Sequence, residues 1–280
     1  MAAPKDRFKQ HLEMTRRAWD DYHPVWAEAM RKKIPDRASR FRDGREDLDP
    51  LEKEMIGDVR GQDVLELSCG WDACQALSLA NLGAVVTACD ISPAAIDLAR
   101  REAKEVGLQV EFVVCDSQTL EPMQDCAFDL VFAQYNFCYY EDLPTAFANW
   151  YRVLRDGGRL FTRSFHPVTA CVKEEDGKVV ITRDYYDKTP EYYKFNGTSH
   201  VPEYQSNLQA VEFPYSLSDQ INAMVRAGFH LERMEEPLRR ENEVPAGFPG
   251  ELFMTALKLG GLRSHETEQA APGDADEPRG

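Results

Sequence analysis

An α/β fold with a doubly wound sheet of about seven strands is predicted by three observations. Short apolar runs alternate with helically spaced segments, a turn of small residues follows the first run, and an acid closes the second. The first run, Val64-Leu65-Glu66-Leu67, reads as a buried strand stopping at Ser68-Cys69-Gly70. Ala73, Ala76, Leu77 and Ala80 then recur at helical spacing as far as Gly83, a residue that accepts the left-handed conformation ending a helix. A second strand, Ala84–Cys89, ends on Asp90. In such a sheet a ligand sits where the strands end, and an acid at the second strand's carboxyl end suits a ribose diol.

The remaining elements follow in order. Residues 5–33 read as an amphipathic helix with Phe8, Leu12, Trp19 and Trp26 on its apolar side, and Pro24 marks a break or a new first turn. Residues 35–50 form a connection. Tyr22, His23 and Trp26 either pack against the domain or form part of a lid over the ligand, and the lid reading assigns 1–50 to an N-terminal helical lid. After Asp90, Ser92-Pro93 supplies an N-cap and a first-turn proline for a helix that runs to Val106 and stops at Gly107. Val110–Cys115 is the third strand, closing on Asp116-Ser117, and Phe128–Ala133 is the fourth, ending at Gln134-Tyr135-Asn136. Leu143–Leu154 is a helix ended by Gly157-Gly158; Arg159–Phe165 is the fifth strand, followed by His166-Pro167. This spacing implies a parallel sheet covered on both faces.

From 168 to 215 the alternation stops. Val172–Arg183 reads as a hairpin turning at Glu175-Asp176-Gly177-Lys178, and Tyr185, Tyr186, Tyr192, Tyr193, Phe195 and Tyr204 crowd the stretch after it. This is a small β/aromatic cap inserted after strand 5. Ser216 and Asp219 form a capping box for a helix through Ala227, and strands near His230–Glu235 and Leu252–Leu259 close the sheet. The main domain is therefore 51–167 with 216–260, the cap is 168–215, and 261–280 is expected to be a disordered acidic tail.

Composition narrows the function. The 280 residues carry a net charge of −15, a field that repels nucleic acid and anionic membrane, so neither is expected as a partner. No signal peptide opens the chain and no apolar stretch is long enough for a span, which leads us to expect a cytoplasmic protein. The seven cysteines are odd in number and several sit in apolar runs, as reduced core thiols do. Cys69 and Cys74 lack a second ligand pair at zinc-like spacing, so no metal is expected.

Taken in order, VLELSCG (64–70), VVTACDISPAAIDLAR (85–100), VEFVVCDS (110–117), FDLVFAQYNFCYY (128–140) and WYRVLRDGGRLFTRSFHP (150–167) resemble the class I S-adenosylmethionine-dependent methyltransferases. The similarity is greatest to the bacterial small-molecule branch of the ubiquinone/menaquinone-biosynthesis type. A looser match over 216–237 resembles that family's final helix and strand. The resemblance covers about two thirds of the chain and implies a Rossmann-like fold, with S-adenosylmethionine as methyl donor and S-adenosylhomocysteine as product.

The resemblance also implies roles. Asp90 binds the ribose hydroxyls, or alternatively only caps a helix. Glu66, Ser68 and Gly70 line the methionyl side. Asp116 accepts from the adenine amino group beside Ser117, Ile91 stacks on adenine, and Gln134 offers its backbone carbonyl to the methionyl group. Tyr22 joins the cofactor side from the lid. Tyr135, Asn136 and Tyr139 face the acceptor, His200 is a weaker acceptor-side candidate, and His166 is either the general base or a histidine bonded to backbone. Two residues depart from the family, Ser68 and Asp72, which stand where its loop carries glycines. They also argue against a dinucleotide, whose diphosphate needs a Gly-x-Gly-x-x-Gly turn and would be repelled by carboxylates at 66 and 72. The expected function is methyl transfer to N or O of a small-molecule acceptor by direct displacement. The alternatives are a catalytically altered binding or partner protein of the same fold, and a dinucleotide-dependent oxidoreductase. Oligomeric state stays open.

Overall fold

The computed structural model describes residues 4–237 and 245–260, and in it the predicted strands join one sheet. Its strands are β1 (Asp63–Leu67), β2 (Val85–Asp90), β3 (Glu111–Val114), β4 (Phe128–Gln134), β5 (Leu154–Phe165), β10 (Phe229–Glu235) and β11 (Glu251–Lys258). They lie in the order β10-β11-β5-β4-β1-β2-β3. The five strands from β1 to β5 run parallel, and β11 is antiparallel to both its neighbours. β10 and β11 pair antiparallel, an arrangement that needs no crossover helix between them. The strand order reverses between β1 and β4, which opens a crevice at their carboxyl ends.

Alternate strand residues feed two cores. Val64, Val86, Ala88, Leu130, Phe132, Phe161 and Phe253 pack with α2 (Pro50–Ile56), α3 (Cys74–Asn81) and α4 (Pro93–Val106). Leu65, Leu67, Cys89, Val131, Ala133 and Leu160 face the other way, against α5 (Leu143–Val153) and α6 (Leu217–Arg226). Trp150 of α5 is fully buried, and its indole N–H donates to the Ser117 carbonyl at 2.8 Å, tying α5 to the end of β3. Burying each such large side chain contributes roughly 1.5–3 kcal/mol.

Three details differ from expectation. Helix α1 (Pro4–Lys33) runs unbroken through Pro24. The proline costs one helical hydrogen bond, but Trp19, Tyr22 and Trp26 on either side pack into one cluster with Phe195, holding both halves in line. Helix α2 was not expected, although Asp49-Pro50-Leu51-Glu52 is a capping box: Asp49 accepts from the Leu51 amide and Glu52 from the Asp49 amide, both at 2.8 Å. Strand β5 begins before Gly157-Gly158 rather than after it, because the pair forms a bulge between the Phe128–Leu154 and Leu130–Arg159 pairings. A Cβ on Gly158 would lie 2.8 Å from the Arg155 carbonyl oxygen, so only glycine fits there.

The inserted stretch forms two hairpin-like pairs. β6 (Val172–Glu175) and β7 (Lys178–Ile181) turn at Asp176-Gly177, both with positive φ, as the sequence predicts. β8 (Glu191–Tyr193) pairs with β9 (Ala210–Glu212). The seven cysteines are all free thiols. No helix among the described residues is long and apolar enough to cross a membrane. The tail expected over 261–280 lies outside the described residues.

Candidate active site

The carboxyl ends of β1, β2, β3 and β4 converge on a cavity of about 430 Å³. Glu66, Ser68, Gly70, Asp90, Ile91, Asp116, Ser117, Gln134, Tyr135, Asn136 and Tyr139 all line it, so the structure brings these sequence-predicted residues together. The turn after β1 is tightly wound. Ser68 (φ 58°) and Gly70 (φ 65°) both take left-handed conformations, and Ser68 does so at the cost of a clash that glycine would avoid. The Ser68 hydroxyl lies 3.0 Å from the Ser117 hydroxyl, which in turn lies 3.0 Å from the Tyr140 hydroxyl. This chain fastens the turn to the end of β3.

Asp90 is buried, and its two oxygens accept from the amides of Gly70 at 2.9 Å and Ser92 at 2.8 Å. It therefore clamps the turn to the start of α4 and keeps further lone pairs for a ligand. Several buried polar atoms of the cavity wall have no protein partner: Glu66 Oε2, Asp116 Oδ2, Asn136 Oδ1, His23 Nδ1 and Trp26 Nε1. Three of the five are acceptors, which suits a ligand rich in N–H and O–H groups. Burial, reinforced by nearby Asp72, pushes the Glu66 carboxyl well above its ordinary range; burial also raises Asp116.

Helix α1 supplies the opposite wall. Leu12, Thr15, Trp19, His23 and Trp26 form a stripe at 3- and 4-residue spacing along it, all lining the cavity. Tyr22 is a correction. It lies off that stripe, stacks on Phe195 at 4.7 Å, and bonds Thr198 at 2.7 Å, so His23 rather than Tyr22 reaches the cavity. Burial lowers the pKa of His23, against the opposing pull of Asp90, Asp72 and Asp20. Asp20 holds α1 in place, accepting from the Ser92 hydroxyl at 2.8 Å and the Ala94 amide at 2.9 Å, where the N-terminus of α4 favours a negative charge.

A second cavity, of about 230 Å³, adjoins the first and shares Tyr135 and Tyr139 with it. Its walls include Ser164, His166, Arg183, Glu212, Tyr215 and Gln220. Tyr135 takes a left-handed φ of 49°. It is braced by a network that the sequence reading missed. The Tyr135 hydroxyl donates to Glu251, whose carboxylate pairs with Arg163 at 2.9 Å, and Arg163 also pairs with buried Glu52 at 2.8 Å. Gln134 donates to the same Glu52. The capping box that starts α2 was the available signal for Glu52; nothing in the sequence marked Arg163, whose place is set by β5 pairing with β4.

His166 also needs correcting as a base. Its Nδ1 accepts from the Val168 amide at 3.2 Å, so the neutral ring carries its proton on Nε2, which lies 2.9 Å from Glu236 Oε1. Neither nitrogen then offers a free lone pair, and the geometry matches the backbone-bonded reading. His200 stacks on Trp26 at 4.9 Å, away from the walls of the second cavity.

Comparison with known proteins agrees with this architecture. Residues 65–162 match the family model described as a methyltransferase domain. The chain is 40% identical over 85 residues to demethylmenaquinone methyltransferase of Thermus thermophilus, covering 30% of this chain and 38% of that protein. It is 32% identical over 123 residues to the aklanonic acid methyltransferase DauC of a Streptomyces species, covering 42% and 56%. These alignments thus span less than two thirds of either relative's length. A crystal structure of an S-adenosylmethionine-dependent methyltransferase from Mesorhizobium loti superposes with a TM-score of 0.60 at 21% identity, over 74% of this chain and 96% of that one. The strand order and the crevice at the reversal point are thus those of the Rossmann-like methyltransferase fold, and residues 65–162 within it match the methyltransferase-domain model.

Proposed function

We propose that the larger cavity binds S-adenosylmethionine and that the protein transfers its methyl group to N or O of a small molecule held in the smaller cavity. The observation that carries this is the charge of the larger cavity. Asp47, Glu66, Asp72, Asp90 and Asp116 line it, with no lysine or arginine among its described lining residues. A nucleoside with a net positive charge is favoured there, and a diphosphate is repelled. This speaks against the oxidoreductase alternative. Asp90 would receive the ribose hydroxyls, Asp116 the adenine amino group, and Glu66 the ammonium, each using an acceptor position that the protein leaves open.

When bound, the sulfonium supplies an activated methyl group and a good leaving thioether. The protein's contribution is to orient and to exclude water. Tyr135 and Tyr139 stand between the two cavities, and the Arg163–Glu251 pair fixes Tyr135. Holding an acceptor in line is worth up to roughly 7–11 kcal/mol in well-oriented systems. The test is calorimetry with S-adenosylmethionine, S-adenosylhomocysteine and NADH, together with transfer of a labelled methyl group. We expect binding of the first two ligands and no heat with NADH. Donor binding without transfer to any acceptor would favour the binding-protein alternative.

A further inference from the structure

We propose that the smaller cavity is a cation site that takes a protonated amine, with Glu212 as its anchor and Ser164 and Gln220 as hydrogen-bond acceptors for the amine's N–H groups. This rests on the reading above and narrows its acceptor to the amine class. Three observations carry it.

The first is charge. Asp184, Asp187, Glu191 and Glu212 line the cavity against a single arginine, Arg183. That arginine is already compensated: one Nη donates to Glu191 at 3.1 Å, and the other donates to the Thr189 carbonyl at 2.7 Å and lies 3.4 Å from Asp187. His166 adds no charge at neutral pH, since burial lowers its pKa despite the nearby Glu236.

The second is the inventory of unmet polar atoms. Ser164 is 5% exposed and Gln220 3%, and both line the cavity with an oxygen that finds no partner in the protein. Gln220 Oε1 can only accept, and Ser164 Oγ can accept. Arg183 Nε and His166 Nε2 are the opposing unmet donors, and His166 Nε2 faces Glu236 at 2.9 Å. An ammonium with three N–H donors answers the acceptors, whereas a carboxylate would meet four others.

The third is position. Glu212 lines this cavity together with Tyr139, whose hydroxyl lies 3.0 Å from that of Tyr193. Glu212 thus shares a cavity with a residue that borders the donor cavity as well. Aromatic walls from Phe213 and Tyr215 add attraction for a cation. For methylation the ammonium first loses one proton, accepted by Glu212. The nitrogen lone pair then forms the N–C bond as the C–S electrons pass to sulfur, leaving S-adenosylhomocysteine.

The experiment is calorimetric titration of the full chain with phenethylamine, phenethyl alcohol and 3-phenylpropionate, with and without S-adenosylhomocysteine. Phenethylamine should bind at least about tenfold more tightly than the other two, the size of one charged hydrogen bond. Glu212→Gln should reduce that preference to within about threefold while leaving affinity for S-adenosylhomocysteine unchanged. Gln220→Leu, a variant that leaves the anchor intact, should weaken phenethylamine by roughly fivefold. Equal or tighter binding of 3-phenylpropionate, no binding of any probe, or a preference that survives Glu212→Gln overturns the inference. Failure of S-adenosylhomocysteine to bind strikes the donor reading instead, and the amine preference is then read from the titrations without it.

Discussion

Asp90→Asn separates a ligand role for this residue from a purely structural one. In the wild type both carboxylate oxygens accept a backbone N–H, from Gly70 at 2.9 Å and from Ser92 at 2.8 Å. The amide of asparagine can satisfy only one of them; its NH2 must face the other donor. One buried N–H is then unsatisfied, at a cost of about 1–3 kcal/mol. Unfolding should shift down by roughly 2–4 °C per kcal/mol for a chain of this size. A ribose hydroxyl bound to Asp90 loses a charged acceptor in addition, worth about 1.5–3 kcal/mol, or roughly 10- to 100-fold in Kd. The assay is calorimetry of S-adenosylhomocysteine beside a thermal melt. A lowered melting temperature with affinity within about twofold of wild type would show that Asp90 only braces the turn, and the ribose assignment would be wrong.

Four other residues carry expected outcomes. Burial pushes the Glu66 carboxyl well above its ordinary range, and a cation bound beside it favours its ionised form. Binding of S-adenosylmethionine should therefore release protons, seen as a binding enthalpy that changes with buffer ionisation heat, and Glu66→Gln should abolish that dependence. The same raised pKa means that the Glu66 contribution to stability is present below the ordinary carboxyl range and is lost as pH rises through the elevated value, so Glu66→Gln should stabilise the ligand-free protein at neutral pH. Ser68→Gly should be more stable than Ser68→Ala by about 1 kcal/mol in denaturant unfolding, because both lose the Ser117 contact but only glycine is relaxed at φ 58°. Arg163→Met should cost roughly 3–5 kcal/mol by stranding Glu52 and Glu251, and Glu52→Gln in the same chain should recover part of it. His166→Gln keeps an acceptor for the Val168 amide, so turnover should stay within about threefold; loss on the scale of a missing general base, about 10²-fold or more, would restore the catalytic reading.

The donor cavity was largely legible because its residues sit at strand ends. Asp90, Asp116 and Gln134 each follow an apolar run, and the run's end fixes the residue's place in a parallel sheet. Helix α1 was legible as a helix, yet the residue chosen on it was one position off. Trp19, His23 and Trp26 share a face by period, whereas Tyr22 is rotated away toward Phe195. The acceptor side was far less readable. Glu212, Gln220 and Ser164 come from a short cap strand, a helix and the end of β5, and only the folding of the cap onto the sheet brings them together. No local period or spacing records such a meeting.

Charge then explains why the two cavities stay distinct although they share Tyr135 and Tyr139. The donor cavity concentrates acids without a basic residue among its described lining, and its one histidine is kept neutral by burial. The partly buried Arg163 lies just outside that lining and is spent between Glu52 and Glu251, so it braces Tyr135 without drawing an anionic ligand inward. Arg183 is likewise spent on the acceptor side. Each nearby cation is thus consumed by the scaffold, and the field left over in both cavities is negative. A cationic donor loses its sulfonium charge on giving up its methyl, so the product is held less strongly than the donor by the same walls. The geometry that gathers the substrates thereby also favours release of the spent nucleoside, and S-adenosylhomocysteine should bind more weakly than S-adenosylmethionine in direct calorimetric comparison.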